Sequence, residues 1–184
     1  ASRRQKDAWH YAISPHDIQS VRLATTRAFP IMKNPKETSE AVELLKQLIA
    51  TPSISRDETA AADIIFAFLD EKRKAADCAF TLHRANNNLW CIPNDFDESQ
   101  QTVLLNAHID TVKPVAGWQH DPFTPTLEGD ALYGLGSNDC GGGLVSLMQV
   151  FLKYIYGRLP KKSVPNALSV KANIIFLASA EEEV

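Results

Sequence analysis

The chain has 184 residues, of which 45% are hydrophobic and 22% are charged, and its formal net charge is −3. These values are typical of one globular domain and indicate no basic surface that would bind a nucleic acid. The longest apolar runs, such as residues 174–178, are far shorter than the roughly 20 residues that span a bilayer. The composition therefore predicts a protein without a nucleic-acid or membrane partner.

The three cysteines, Cys78, Cys91 and Cys140, are odd in number and show no C-x-x-C spacing. This pattern argues against a disulfide framework and against a cysteine-ligated zinc site. It favours a reducing, cytoplasmic location.

Residues 1–31 contain several basic side chains but no continuous apolar core of the kind that a secretory signal needs. We expect this segment to be a flexible extension. Regular apolar patterning follows it, so the folded unit is predicted over residues 32–184.

Two helices are predicted in the first half of the folded unit. Apolar residues at helical spacing indicate a helix over residues 39–49, with Thr38 and Ser39 available as caps. Ser55 followed three residues later by Glu58 is a capping-box pattern that opens a second helix. The predicted buried face of this second helix consists of Ala61, Ile64, Ile65, Phe68 and Leu69.

Strands and a third helix follow. Residues 79–84 and 89–92 predict a hairpin around three consecutive asparagines, and residues 102–107 predict a strand that leads into His108. A final buried strand is predicted over residues 172–178. Alternating strands and helices indicate an α/β sheet with its site at the carboxyl edge. The third helix is marked by Leu144, Leu147, Met148, Phe151 and Ile155.

Residues of metal-ligand type occur in three places. His108 and Asp110 stand two apart at a strand end, where the carboxylate could orient the imidazole. Asp139 lies in a glycine-rich turn that matches neither phosphate-binding pattern. Three consecutive glutamates at 181–183 follow a hydrophobic strand and repel one another unless cations or protons offset their charge. Taken singly, these features are also compatible with a solvated strand end, an ordinary turn and a surface acidic patch.

The occurrence of all three features in one α/β pattern favours a shared metal site. Histidine and carboxylate ligands without thiolate suit Zn²⁺, Co²⁺ or Mn²⁺ in a hydrolytic role. A shared carboxylate could bridge two such ions, which together activate water and polarise a carbonyl group. The pattern therefore predicts amide hydrolysis.

Three segments of this sequence resemble the N-terminal signatures of the M20 metallopeptidase and deacylase family. They are LLNAHIDTV at residues 104–112, YGLGSND at 133–139 and AEEE at 180–183. Residues 48–53 and Glu58 also resemble the N-terminal helix and loop of that family. The resemblance extends over residues 38–184. It implies a zinc-peptidase-like catalytic domain with a three-layer mixed sheet and helices on both faces.

The resemblance also implies a role for each matching residue. His108 would bind one metal ion, Asp139 would bridge two, and Glu183 would bind one. Asp110 would orient the imidazole. Glu182 would act as the general base, which takes a proton from the attacking water and passes it to the departing amine.

The turn after the bridging aspartate departs from the family pattern. Cys140 and Gly141 stand where many members have Met-Lys or similar residues. The resemblance implies a cis peptide bond between Asp139 and Cys140. We interpret Cys140 as a small packed residue rather than a nucleophile.

Within the family, the Gly-x-Gly-Ser-Asn-Asp form at residues 134–139 and the segment at residues 118–123 are most similar to acetylornithine deacetylases. This implies a small N-acyl amino acid as substrate, two Zn²⁺ or Co²⁺ ions, a role in arginine biosynthesis and a homodimeric full-length form. It also implies that residues 32–184 are the N-terminal part of the catalytic domain, with a lid or dimerisation domain and further ligands beyond residue 184. The alternatives are a succinyl-amino-acid desuccinylase, a dipeptidase or aminopeptidase, and a non-catalytic fragment or binding module.

Overall fold

The computed structural model describes residues 35–157 and 171–184, and it describes side chains within the first helix from residue 40 onward. The extension predicted for residues 1–31 lies outside these ranges. Within them, none of the helices combines the length and the apolar character needed to cross a bilayer. The elements below are those of the described residues.

The helices are close to those predicted, but the start of each of the first two differs. The first helix begins at Pro35, a residue well suited to a first helical turn, so the start predicted at Ser39 lies inside the helix. The second helix has Glu58 at its N-cap without a side-chain cap hydrogen bond, so the predicted capping box is wrong. The three helices are α1 (Pro35–Ile49), α2 (Thr59–Ala75) and α3 (Gly143–Gly157).

The strands form a mixed four-stranded sheet with the order β1-β2-β6-β3 and a separate two-stranded ribbon, β4-β5. The predicted hairpin is confirmed as β1-β2, and β6 pairs antiparallel with β2 and parallel with β3. The ribbon was not predicted, because its strands are only three residues long. The strands are β1 (Phe80–Ala85), β2 (Asn88–Pro93), β3 (Thr102–His108), β4 (Thr126–Glu128), β5 (Ala131–Tyr133) and β6 (Asn173–Ser179).

The core lies between the helices and one face of the four-stranded sheet. Phe151 of α3 packs edge-on against Phe80 of β1, with ring centroids 5.3 Å apart, and its ring centroid lies 6.2 Å from that of Phe176 in β6. Buried residues of all three helices join this cluster. On the opposite face, Trp90 is partly exposed and Leu104 is 56% exposed. The mixed α/β class is confirmed, and the described helices pack on one face of the sheet.

The three cysteines are unpaired and differ in environment, which allows a test of the packing. Cys91 is fully buried in β2, and burial raises the pKa of its thiol to about 12. Cys78 is exposed. A thiolate is the reactive form, so we expect a thiol reagent at mildly alkaline pH to label Cys78 in the native protein and Cys91 only after denaturation. Peptide mapping by mass spectrometry measures both, and equal labelling rates in the native state would contradict the packing.

Candidate metal centre

The ends of the parallel strands β3 and β6 form the base of the site. His108, the last residue of β3, is in register with Ser179 at the end of β6. The Ile109 amide donates to the Ser179 carbonyl at 2.8 Å, which extends the pairing by one residue. Residues 181–183 therefore emerge beside His108, at the carboxyl edge of the parallel pair β3 and β6.

Asp139 reaches the site through an irregular turn, Ser137–Gly142, that precedes α3. Gly136 begins the turn with a φ of 75°, and a Cβ atom at that position would lie 2.7 Å from the Thr111 methyl group. Only glycine adopts this conformation without strain and also permits the close approach. The Asp139–Cys140 peptide bond is cis, as the resemblance implied.

The His108 imidazole is fixed by acceptors at both nitrogens. Its Nδ1 atom lies 2.9 Å from the Asp110 carbonyl oxygen, and its Nε2 atom lies 3.1 Å from Asp139 Oδ1. A carbonyl oxygen only accepts, so Nδ1 carries a hydrogen and donates it to Asp110. In the neutral ring, the lone pair is therefore on Nε2, which faces Asp139 and is available to a cation.

The acidic surroundings favour the protonated form of His108. Burial lowers the pKa of this imidazole, but the hydrogen bond to Asp139, the Asp110 carbonyl and the charges of Asp110 and Glu182 together outweigh it. The net effect is a pKa above the ordinary value of histidine. A cation at Nε2 would replace this proton and interact with the same carboxylates.

The three glutamates after β6 take different directions. Glu182 Oε2 lies 4.0 Å from His108 Nε2, and ligand atoms of Glu182, Glu183 and His108 all lie within 4.8 Å of one another. Glu181 has a φ of 60°, and its carboxylate lies 3.9 Å from the Arg56 guanidinium. The structure thus places Glu182 and Glu183, but not Glu181, in a group with the imidazole.

Asp110 lies beneath the site and is 1% exposed. Its Oδ2 atom accepts a hydrogen bond from the Ser55 hydroxyl at 2.6 Å and another from the Glu183 amide at 2.9 Å. Burial raises the pKa of this carboxyl, but these hydrogen bonds outweigh burial and bring the pKa below its ordinary value. The carbonyl of Asp110 contacts His108 more closely than its carboxylate does, since Oδ1 is 3.5 Å from Nδ1.

Ser55 is the contact that the sequence analysis missed. The capping-box pattern assigned its hydroxyl to the start of α2, whereas the hydroxyl donates to a carboxylate 55 residues away. The signal available in the sequence was the resemblance of the neighbouring residues 48–53 to the family loop. That resemblance did not indicate which side chain points toward the site.

The donor atoms fit a divalent cation of the zinc type. A second group of three ligand atoms within 4.8 Å consists of His108, Asp139 and Cys140, so His108 is common to both groups. If Cys140 is a packed residue, as we interpret it, the remaining donors are one imidazole nitrogen and carboxylate oxygens, a borderline-to-hard set that Zn²⁺, Co²⁺ and Mn²⁺ accept. Three carboxylates near one imidazole also carry a negative charge that a dication would offset.

Comparison with known proteins finds a similarity to one family over part of the chain. Residues 104–184 match the model of "Peptidase family M20/M25/M40". Over this segment the chain is similar to the M20 family. The segment contains the five residues predicted for the site, which are His108, Asp110, Asp139, Glu182 and Glu183.

Two curated relatives and a solved structure show how far the similarity extends. Succinyl-diaminopimelate desuccinylases of Blochmanniella floridana and Buchnera aphidicola are 29% and 30% identical to the chain, each over 79% of its length. The chain spans 36% of the length of these relatives. A dinuclear metal-binding M20 peptidase of Bacillus subtilis has the same fold, with a TM-score of 0.55 at 13% identity over 82% of this chain and 37% of that one.

Proposed function

We propose that the protein hydrolyses the amide bond of an N-acyl amino acid with the help of two divalent metal ions, Zn²⁺ or Co²⁺. The observation that carries this proposal is the convergence of His108, Asp139, Glu182 and Glu183 where β3 and β6 end. A site that contained carboxylates alone would fit Mg²⁺ or Ca²⁺ better. The imidazole favours a metal used for hydrolysis.

Each residue has a defined task in this proposal. His108 would hold one ion through Nε2, Glu183 would hold one through its carboxylate, and Asp139 would be shared by both. Bound there, such ions would supply electrophilic activation of the scissile carbonyl and of the attacking water. Asp110 holds His108 in the tautomer that leaves Nε2 available.

Glu182 moves the proton. The Glu182 side chain is 60% exposed, and its Oε2 atom lies 4.0 Å from His108 Nε2. The carboxylate therefore lies at the border of the site. It accepts a proton from the attacking water at a carboxylate oxygen and delivers this proton to the departing amine nitrogen. The products are the carboxylate of the acyl group and a free amino acid.

The relatives favour succinyl as the acyl group. Both are named succinyl-diaminopimelate desuccinylases. This observation supports the alternative of a desuccinylase over the acetylornithine deacetylase of arginine biosynthesis, for which the support is the resemblance of residues 134–139 and 118–123. We therefore propose a succinylated amino acid as the first substrate to test.

The test is hydrolysis by the intact protein of three substrates: N-succinyl-diaminopimelate, N-acetylornithine and an unmodified dipeptide. We expect release of the free amine from a succinylated or acetylated substrate, with loss of activity after chelation and recovery on adding Zn²⁺ or Co²⁺. Activity on the dipeptide alone would replace the proposed substrate class by peptides. No activity with any substrate, despite bound metal, would contradict the hydrolytic function.

A further inference from the structure

The buried Asp110 carboxylate connects parts of the candidate metal centre that come from separate segments of the chain. Its Oδ2 atom accepts hydrogen bonds from the Ser55 hydroxyl at 2.6 Å and from the Glu183 amide at 2.9 Å. Its Oδ1 atom lies 3.5 Å from His108 Nδ1. The same carboxylate therefore faces the imidazole, the backbone of the glutamate segment and a serine that precedes α2.

The loop that carries Ser55 is held against the end of β3. The Ser55 amide donates to the Thr111 carbonyl at 3.3 Å, and the Thr111 amide donates to the Ser53 carbonyl at 2.9 Å. C-terminal to Ser55, the buried Glu58 carboxylate accepts a hydrogen bond from the Arg56 amide at 2.5 Å. These contacts fix the backbone around Ser55, so its hydroxyl is presented to Asp110 by a rigid loop.

The hydrogen bond from Ser55 is important to Asp110 because, among the described residues, Ser55 is the one side chain that donates a hydrogen bond to this carboxylate, and its other donors are backbone amides. The Asp110 side chain is fully buried, and its Oδ1 atom has no hydrogen-bond partner among the described residues. A buried carboxylate that loses a donor is left partly unsatisfied and turns toward other donors or water. Rotation of the Asp110 side chain would break its hydrogen bond with the Glu183 amide and would move Oδ1 from its place 3.5 Å from His108 Nδ1.

We propose that Ser55 is a positioning residue of the metal centre, which holds Asp110 in the orientation that places His108 and residues 182–183 around one cation. Ser55 acts through Asp110 and contacts neither the cation nor the substrate. The proposal rests on the proposed function, since it requires that the site binds a metal ion.

The experiment is a measurement of Zn²⁺ affinity by competition with a chromophoric chelator, using the intact protein and Ser55→Ala. We expect Ser55→Ala to bind Zn²⁺ about 10–100-fold more weakly, the range seen when outer-shell partners of metal ligands are removed. Ser55→Thr retains a hydroxyl and is expected to restore most of the affinity. Should Ser55→Ala not fold, Ser55→Cys gives the same comparison, because it preserves the size and donates weakly.

A matched control removes the same type of hydrogen bond at the other end of the sheet. The Ser99 hydroxyl donates to Asp97 Oδ1 at 2.7 Å, in the exposed loop before β3. Ser99→Ala should leave Zn²⁺ affinity unchanged. Thermal unfolding of the metal-free proteins separates stability from positioning: a merely structural role predicts a lower Tm for Ser55→Ala with wild-type Zn²⁺ affinity in the folded protein.

The outcomes distinguish this inference from the proposed function. Wild-type affinity in Ser55→Ala, or equal weakening in Ser55→Ala and Ser55→Thr, would overturn the role of Ser55 and leave the metal centre intact. Absence of Zn²⁺ binding by the wild-type protein would overturn the proposed function and the role of Ser55 with it.

Discussion

Replacing Glu182 with glutamine is expected to lower kcat by about 10²–10⁴-fold while the protein keeps its metal ions. Glutamine has nearly the same size but cannot accept a proton, so the attacking water loses its base and the departing amine loses its acid. The carboxylate of Glu182 borders His108 Nε2 at 4.0 Å. Steady-state kinetics and elemental analysis on the same preparation measure the two quantities.

Glu181→Gln is the matched control, because it makes the same charge change one residue earlier. The Glu181 carboxylate is directed to Arg56 and is not part of the ligand groups. We expect this variant to keep a kcat close to that of the wild-type protein. A larger loss of kcat in Glu181→Gln than in Glu182→Gln would identify Glu181 as the general base. Loss of metal in Glu182→Gln would identify Glu182 as a metal ligand instead of the base.

Replacing Asp139 with asparagine is expected to weaken metal binding by more than about 100-fold, since loss of an outer-shell partner already costs 10–100-fold. Asp139 Oδ1 lies 3.1 Å from His108 Nε2, which is the nitrogen that would bind the cation. The amide is neutral and cannot bridge two cations as a carboxylate does. Metal content after dialysis, measured beside the wild-type protein, gives the result.

Asp130→Asn serves as the control for this substitution. Asp130 is exposed in the turn between β4 and β5 and belongs to neither ligand group. It changes the net charge by the same amount, so it separates a general electrostatic effect from the loss of a ligand. Equal loss of metal in both variants, or full metal content in Asp139→Asn, would show that Asp139 is not a ligand.

The elements that are determined by residues close together in the sequence could be predicted. The hairpin β1-β2 was predicted because asparagines favour turns, and Asn86 has a φ of 52° there. Helix α3 was predicted because its apolar residues recur at helical spacing over about four turns. The short ribbon β4-β5 was not, since three-residue strands give too little alternation to distinguish them from a loop.

Those parts of the candidate site that lie at the ends of strands could be predicted from the sequence. His108 and residues 181–183 follow adjacent parallel strands, so their proximity could be inferred from an α/β pattern. The direction of each glutamate could not, because a φ of 60° at Glu181 turns that residue away from its neighbours. The contact between Ser55 and Asp110 joins residues far apart in sequence, and the local pattern at Ser55 and Glu58 indicated a cap instead.

The roles of the five site residues remain predictions, and one measurement tests them together. Anomalous diffraction at the zinc absorption edge, on crystals of the intact protein grown with Zn²⁺, locates the metal directly. We predict a peak about 2.0–2.2 Å from His108 Nε2 and from carboxylate oxygens of Asp139 or Glu183. A peak bound elsewhere, with these side chains uncoordinated, or the absence of any zinc peak at the ends of β3 and β6, would contradict the account.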